Sequence, residues 1–243
     1  MSFRIIVIIG LLLLQSCGNY EELPPLQAQG YQKKQTAASY NIQLGLAYLN
    51  RGERSRAKQK FIKALDLEPN FPEAYLAMAY FFEKTGDIKE AEKFYQKALN
   101  LQPKNGATLN NYGAFLCRRG QHRRAEYFFL KAVRDMHYVN TAMTYQNAGM
   151  CAASVADYSK AAKYYLRSVQ QDPEQKQALY ELLRLTMKQN KSLKANEYLE
   201  KYKTQLRKDP ELKNIAIKTA RHFGLKDHEH YYKSGANNEH QHQ

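Results

Sequence analysis

Residues Pro72 to Pro103 read PEAYLAMAYFFEKTGDIKEAEKFYQKALNLQP. Apolar and small residues recur at helical spacing on both sides of a break at Thr85-Gly86-Asp87. This pattern predicts two amphipathic helices joined by a tight turn, and Pro103 marks the end of the second helix. We therefore expect this segment to form a helical hairpin.

The order of small and large residues in this hairpin resembles the tetratricopeptide repeat, a hairpin that stacks into arrays. Small residues stand where two helices cross closely, and large residues fill the space between the crossings. The small positions are 8, 20 and 27, occupied by Ala79, Ala91 and Ala98, and the large residues include Tyr75, Met78, Phe82 and Tyr95. The resemblance implies further copies in the same chain.

Further copies of the pattern precede and follow this hairpin. They begin at Ala38, Gly106, Ala142 and Lys176, and the copy from Lys176 matches least well. An amphipathic segment from Glu211 to Phe223 follows and is expected to cap the exposed face of the last repeat. We predict an all-α fold, a tetratricopeptide-repeat α-solenoid of about five helical hairpins plus a C-terminal capping helix, over residues 38–233.

The amino terminus has the features of a bacterial export signal. The apolar run Ile5 to Leu14 is shorter than the roughly 18 residues of a membrane span, so residues 1–16 are predicted to be a lipoprotein signal peptide. Leu14 to Cys17 resembles the lipobox, which implies cleavage before Cys17 and lipid attachment to it. An ordinary secretory signal with an incidental cysteine is the alternative. Gly18, where aspartate commonly marks inner-membrane retention, favours a lipid anchor on the periplasmic face of the outer membrane.

The two ends of the chain lack apolar periodicity. Residues 17–37 contain adjacent prolines and several glutamines, so we predict a flexible tether after the lipidated cysteine. Residues 234–243 are predicted to be a disordered tail. The C-terminal histidines have no cysteine or carboxylate cluster beside them, which favours a solvated terminus over a metal site. They are His228, His230, His240 and His242.

The chain is strongly basic, with a formal net charge of +14. Arg118, Arg119, His122, Arg123 and Arg124 cluster around the turn of the third repeat. Basic surface can bind nucleic acid, anionic head groups or an acidic protein. Export excludes nucleic acid as a partner, and a solvated turn is favoured over a specific site for these arginines.

Two of the three cysteines lie inside the repeats. Cys117 and Cys151 fall at similar heights on two neighbouring first helices. The oxidising periplasm permits a disulfide between them. Two small buried thiols are the alternative, because the sequence does not give the Cα separation on which a disulfide depends.

The sequence contains no catalytic motif. It has no GxSxG, HExxH, P-loop or CxxC, and its serines show no spacing to histidine or aspartate that indicates a triad. We predict a protein that is not an enzyme and has no catalytic residues, no cofactor and no small-molecule substrate. A role in binding another protein follows from the repeat architecture.

The first helices of such arrays line a concave groove, into which repeat positions 2, 5, 9 and 12 usually face. Apolar and methionine-containing surface with a few amides suits a peptide segment of a partner. About a third of these residues are expected to pack between repeats, and binding on the convex face stays open. The predicted groove comprises Leu46, Leu49, Leu76, Tyr80, Asn110, Ala114, Met143, Gln146, Met150, Tyr180 and Arg184.

Three segments resemble one family in particular. Asn110 to Cys117, Ala125 to Phe129 and Asn147 to Cys151 are similar to elements of the type IV pilus biogenesis and stability lipoproteins, a pilotin-type tetratricopeptide family. The paired cysteine elements are the discriminating part. The resemblance implies an adaptor that supports outer-membrane targeting and assembly of the pilus secretin, with a secretin subunit as its protein partner. An adaptor of the same architecture for cell-wall (peptidoglycan) enzymes is the alternative.

Overall fold

The computed structural model describes residues 36–234 of the chain. All regular secondary structure in this range is helical, as predicted. The helices are α1 (Ala37–Asn50), α2 (Arg54–Leu67), α3 (Pro72–Thr85), α4 (Ile88–Leu101), α5 (Gly106–Arg118), α6 (His122–Ala132), α7 (Thr141–Ser154), α8 (Tyr158–Gln171), α9 (Lys176–Lys188), α10 (Ser192–Lys201), α11 (Lys203–Lys208), α12 (Pro210–His222) and α13 (Lys226–Lys233).

The helices pack as hairpins stacked in chain order. α1 pairs with α2, α3 with α4, α5 with α6, α7 with α8, and α9 with α10. The first helices α1, α3, α5, α7 and α9 also touch one another in sequence, whereas each second helix packs on the first helix of the next hairpin. The first helices therefore form one continuous layer. This nearest-neighbour packing confirms the predicted tetratricopeptide α-solenoid.

A glycine on a first helix faces an aromatic ring on the second helix in three of the hairpins. The ring occupies the volume that a side chain would need, which lets the two helix axes approach closely. A Cβ atom at Gly45 would overlap the ring of Phe61, and one would lie 2.9 Å from Phe129 at Gly113 and 2.8 Å from Tyr165 at Gly149. The alanines at repeat position 20 are fully buried at the same crossings. They are Ala57, Ala91, Ala125, Ala161 and Ala195.

The turn inside every hairpin uses one residue in the left-handed region. Glycine, which enters this region without a steric penalty, occupies the first three turns at Gly52, Gly86 and Gly120. Ala156 and Asn190 take the same place in the fourth and fifth hairpins, with φ of 58° and 52°. The turn geometry is therefore kept even where the glycine of the repeat pattern is lost.

The C-terminal cap is larger than predicted. The expected capping helix forms as α12, but α13 follows and packs against it. Tyr232 on α13 is fully buried, and its hydroxyl donates a hydrogen bond to the carbonyl oxygen of Leu199 at 2.5 Å. His228 and His230 lie on this helix, inside the predicted repeat domain, and His230 is exposed. The cap is a sixth hairpin rather than a single helix.

Several predictions lie outside the described residues. They are the signal peptide at 1–16, the lipid-attachment residue Cys17, most of the tether, and His240 and His242 of the tail. At the end of the tether, Thr36 caps α1 through a reciprocal bond with Ser39, so helix begins at Ala37, one residue before the predicted boundary. Among residues 36–234, no helix has the length and apolar character needed to cross a bilayer.

Candidate functional site

The layer of first helices carries most of the predicted groove. Eight of the eleven predicted residues keep part of their side chain exposed on this layer. They are Leu46, Leu49, Tyr80, Met143, Gln146, Met150, Tyr180 and Arg184. Each of these side chains therefore keeps some surface that a partner could contact.

Three predicted groove residues are buried and offer no surface. Leu76, Asn110 and Ala114 are only 2%, 5% and 6% exposed. Leu76 and Ala114 belong to a core shared by the second, third and fourth hairpins. Asn110 accepts a hydrogen bond from the Asn147 side-chain amide on α7, at 3.0 Å between Nδ2 and Oδ1. Because neighbouring first helices pack directly on one another, these three positions join repeats instead of facing a partner.

The exposed part of the groove is mainly apolar, and the charged groups within it already have partners. The ammonium group of Lys84 lies 5.6 Å from the ring centre of Tyr80, a cation–π distance. Arg184 forms an ion pair with Glu181 one turn away on α9, at 2.6 Å. This surface therefore suits an apolar segment of a protein better than a small charged ligand.

Two arginines of the basic turn form structural hydrogen bonds, Arg118 between the second and third hairpins and Arg124 within the third. The guanidinium of Arg118 donates two hydrogen bonds to the carboxylate of Glu83 on α3, one of them at 2.8 Å. Glu83 also accepts a bond from the Tyr95 hydroxyl at 3.2 Å. Burial raises the pKa of Tyr95 well above its usual range, and the charge of Glu83 adds to the shift. Arg124 donates to the Tyr112 hydroxyl at 3.1 Å. Arg118 and Arg124 are therefore structural.

Cys117 and Cys151 form a disulfide that joins α5 to α7. Their Cα atoms are 5.8 Å apart, inside the range that a disulfide allows. The Nδ1 atom of His122, the first residue of α6, lies 3.5 Å from the sulfur of Cys151 and 4.0 Å from that of Cys117. Three helices of the third and fourth repeats therefore meet at one small cluster.

A cavity of about 560 Å³ opens beside this cluster. Apolar groups including Phe129 and Val155 line one part of it, and Arg123, Arg124, Glu126, Asp157 and Lys160 line another. Lys160 lies 3.0 Å from Glu126 and 3.8 Å from Asp157. Both signs of charge therefore surround the cavity.

Sequence reasoning missed three features of this region. Pairing of Glu83 with Arg118 and of Asn110 with Asn147 links residues 35 and 37 positions apart. Equivalent positions of adjacent 34-residue repeats are neighbours in space, so near-34 spacing of complementary polar residues was a usable signal. His122 was noted only for its charge, although its place at the start of α6 puts it beside both cysteines.

The repeat architecture agrees with comparison to known families. Models of the tetratricopeptide repeat match residues 48–108 and 104–174, which together make up more than half of the chain. The chain belongs to the tetratricopeptide repeat family. The resemblance noted in the sequence therefore holds at the level of the repeat.

The chain is also similar to individual proteins of type IV pilus assembly. The type IV pilus assembly protein PilF of Pseudomonas aeruginosa is 27% identical over 157 residues, which make up 65% of this chain and 62% of PilF. The chain thus spans less than two thirds of that relative. A solved structure from work on P. aeruginosa PilF matches with a TM-score of 0.64 and 28% identity, covering 81% of this chain and 88% of that one.

PilW supplies a second structural relative. The crystal structure of this widely conserved type IV pilus biogenesis factor matches with a TM-score of 0.61 and 25% identity, over 80% of this chain and 90% of PilW. These two relationships confirm the resemblance to tetratricopeptide proteins of type IV pilus biogenesis.

Proposed function

We propose that this protein is a pilotin, an outer-membrane lipoprotein adaptor that supports targeting and assembly of the type IV pilus secretin. The observation that supports this best is the set of partly exposed, mainly apolar side chains on the first helices of a tetratricopeptide array related to PilF and PilW. The groove binds a segment of the secretin subunit, and pilus biogenesis and stability depend on that binding.

Lipid and groove have separate tasks in this proposal. Lipid on Cys17 holds the protein at the periplasmic face of the outer membrane, and the tether gives the repeats reach. The groove supplies affinity by burying apolar side chains of the partner around Tyr80 and Met143, since aromatic residues at the centre of an interface tend to dominate its binding energy. Escort to the membrane requires no covalent chemistry.

A double variant tests the groove. Tyr80→Ala with Met143→Glu removes the central ring and adds a charge, so heat- and detergent-resistant secretin multimers should decrease and pili should be lost. The matched control is Tyr127→Ala with Gln170→Glu, the same two kinds of change at exposed positions of the second helices α6 and α8. Normal secretin multimers in the groove variant would indicate that the partner binds on the convex side or at the basic turn.

The lipid anchor is tested separately. Cys17→Ser should leave the repeats folded and release the protein from the outer membrane. A variant that still fractionates fully with that membrane would contradict the lipobox interpretation. Recovery of a peptidoglycan hydrolase instead of a secretin on co-purification from membranes would favour the cell-wall adaptor.

A further inference from the structure

Cys117, His122 and Cys151 bring three metal-binding side chains together. Their donor atoms, two sulfurs and one ring nitrogen, all lie within 4.8 Å of one another. Cys151 is 4% exposed, and the other two are half-buried. Thiolate and imidazole are the ligands that zinc prefers in proteins. Among residues 36–234, this is the one group of three His, Cys or carboxylate side chains whose donor atoms lie so close together.

Two of the three donor–donor distances are close to the edge lengths of a tetrahedral zinc site. Zinc–sulfur bonds of about 2.3 Å and zinc–nitrogen bonds of about 2.0 Å place sulfur and nitrogen about 3.5 Å apart at the tetrahedral angle. In the structure, the two sulfur–nitrogen distances are 3.5 Å and 4.0 Å. The two sulfurs would have to separate to about 3.8 Å, a change that rotation of the cysteine side chains can supply.

We propose that the reduced protein binds one zinc-class divalent ion through Cys117, Cys151 and His122. The site then exists in two exclusive states, a disulfide without metal and a dithiolate with metal. Both states tie α5 to α7, and the metal adds α6 through His122. The third and fourth repeats are therefore linked at this junction under both oxidising and reducing conditions.

Electrons and protons balance in this scheme. Reduction of the disulfide takes two electrons and two protons, breaks the sulfur–sulfur bond and leaves two thiols. A dithiol reductant supplies these electrons and protons and becomes a disulfide itself. In vitro, a phosphine can serve as the reductant; it takes the oxygen of one water molecule and becomes a phosphine oxide. Binding of the divalent ion then releases the two thiol protons. The charges of two thiolates and the ion cancel, so the half-buried site is neutral.

His122 and Cys151 both line the cavity of about 560 Å³, so we expect the fourth coordination position to open into it. Three protein ligands with one position left for water or another donor make an exchangeable site, unlike a closed structural one. Cobalt can therefore enter and be displaced by zinc.

The test uses the full chain carrying Cys17→Ser, so that only the two repeat cysteines are present. After reduction with a phosphine, cobalt(II) should bind at one ion per chain, give thiolate-to-cobalt charge-transfer absorbance, and be displaced by zinc(II). The oxidised chain should give no such absorbance. His122→Ala should weaken cobalt binding about tenfold or more. His137→Ala, an exposed histidine in the loop before α7, is the matched control and should bind normally.

Three results would overturn the proposal. One is a reduced, helical chain with two titratable thiols that gives no charge-transfer absorbance. Another is unchanged affinity in His122→Ala, which would reduce the site to a simple dithiol chelator. The third is loss of helical content on reduction that neither cobalt nor zinc reverses.

Discussion

Gly113 lies where α5 crosses α6, and the space that a side chain would need there is already filled by Phe129. A Cβ atom would sit 2.9 Å from that ring and 3.3 Å from the carbonyl oxygen of Ala125. The ring is 1% exposed, so it cannot move into solvent. Addition of one methyl group must push the two helices apart.

Gly113→Ala should therefore destabilise the protein by about 1 to 3 kcal/mol, although alanine is the better helix former. Chemical denaturation followed by circular dichroism measures the loss. Ser159→Ala, at an exposed position of α8, is the control and should change stability little. Equal stability of Gly113→Ala and the parent protein would show that the crossing is looser than the structure indicates.

Buried phenols make stability sensitive to alkaline pH. Burial raises the pKa of Tyr95, Tyr165 and Tyr232 in the folded protein above the ordinary value of 10. A raised folded pKa means that the folded state holds its protons more tightly. This contribution is fully present below pH 10 and is lost as the pH rises toward the folded pKa.

Stability should thus be nearly flat with respect to these groups up to about pH 9 and fall above pH 10. Tyr165→Phe removes one of the buried phenols, so its stability relative to the parent should improve by about 1.4 kcal/mol for each pH unit above 10. Denaturant titrations at several pH values, with phenolate absorbance in parallel, measure both. A pH-independent difference between the two proteins would contradict the proposed cause.

At the scale of elements, α5 and α7 are joined by packing, an amide pair and a disulfide. The Asn110–Asn147 bond and the Cys117–Cys151 bridge lie on the same two helices. The bridge closes a loop of 34 residues, which restricts the unfolded chain more than it changes the folded one.

Reduction should lower stability by about 3 to 4 kcal/mol on the chain-entropy estimate. The melting temperature should fall, with a chelator present so that no metal replaces the bridge. The double variant Cys117→Ser, Cys151→Ser should be insensitive to the reductant. Two reactive thiols in the non-reduced, denatured Cys17→Ser chain would instead mean that no bridge forms.

At the scale of the whole molecule, each hairpin contacts mainly its neighbours, so the array can unfold from an end. The hairpin of α12 and α13 protects the C-terminal end, where Tyr232 is buried against α10 through its bond to Leu199. The disulfide joins the third and fourth repeats only and leaves the C-terminal end without a covalent link.

Tyr232→Ala should cost about 3 kcal/mol or more and act locally. Amide hydrogen exchange should speed up in α9 to α13 and stay nearly unchanged in α1 to α4. His230→Ala on the same helix is exposed and should leave exchange as it was. A uniform increase along the chain would show that the array unfolds as one cooperative unit.

The sequence by itself determined the hairpins, their order and the repeat family. Helical spacing around Thr85-Gly86-Asp87 and the small residues at Ala79, Ala91 and Ala98 are local signals, because each hairpin forms from residues close in the chain. Helix α13 was not predicted, because Lys226 to Lys233 is polar and has little apolar periodicity. Its one fully buried residue, Tyr232, is buried by contact with α10.

Only the tertiary structure decided which residues the repeats share. Leu76, Asn110 and Ala114 follow the groove pattern and yet are buried, Arg118 pairs with Glu83, and His122 lies beside the two cysteines. Each of these depends on how far one hairpin is rotated and shifted against the next. Periodicity within a hairpin carries no information about that rotation. The rotation is set by side chains about 34 residues apart, which meet only when the array is assembled.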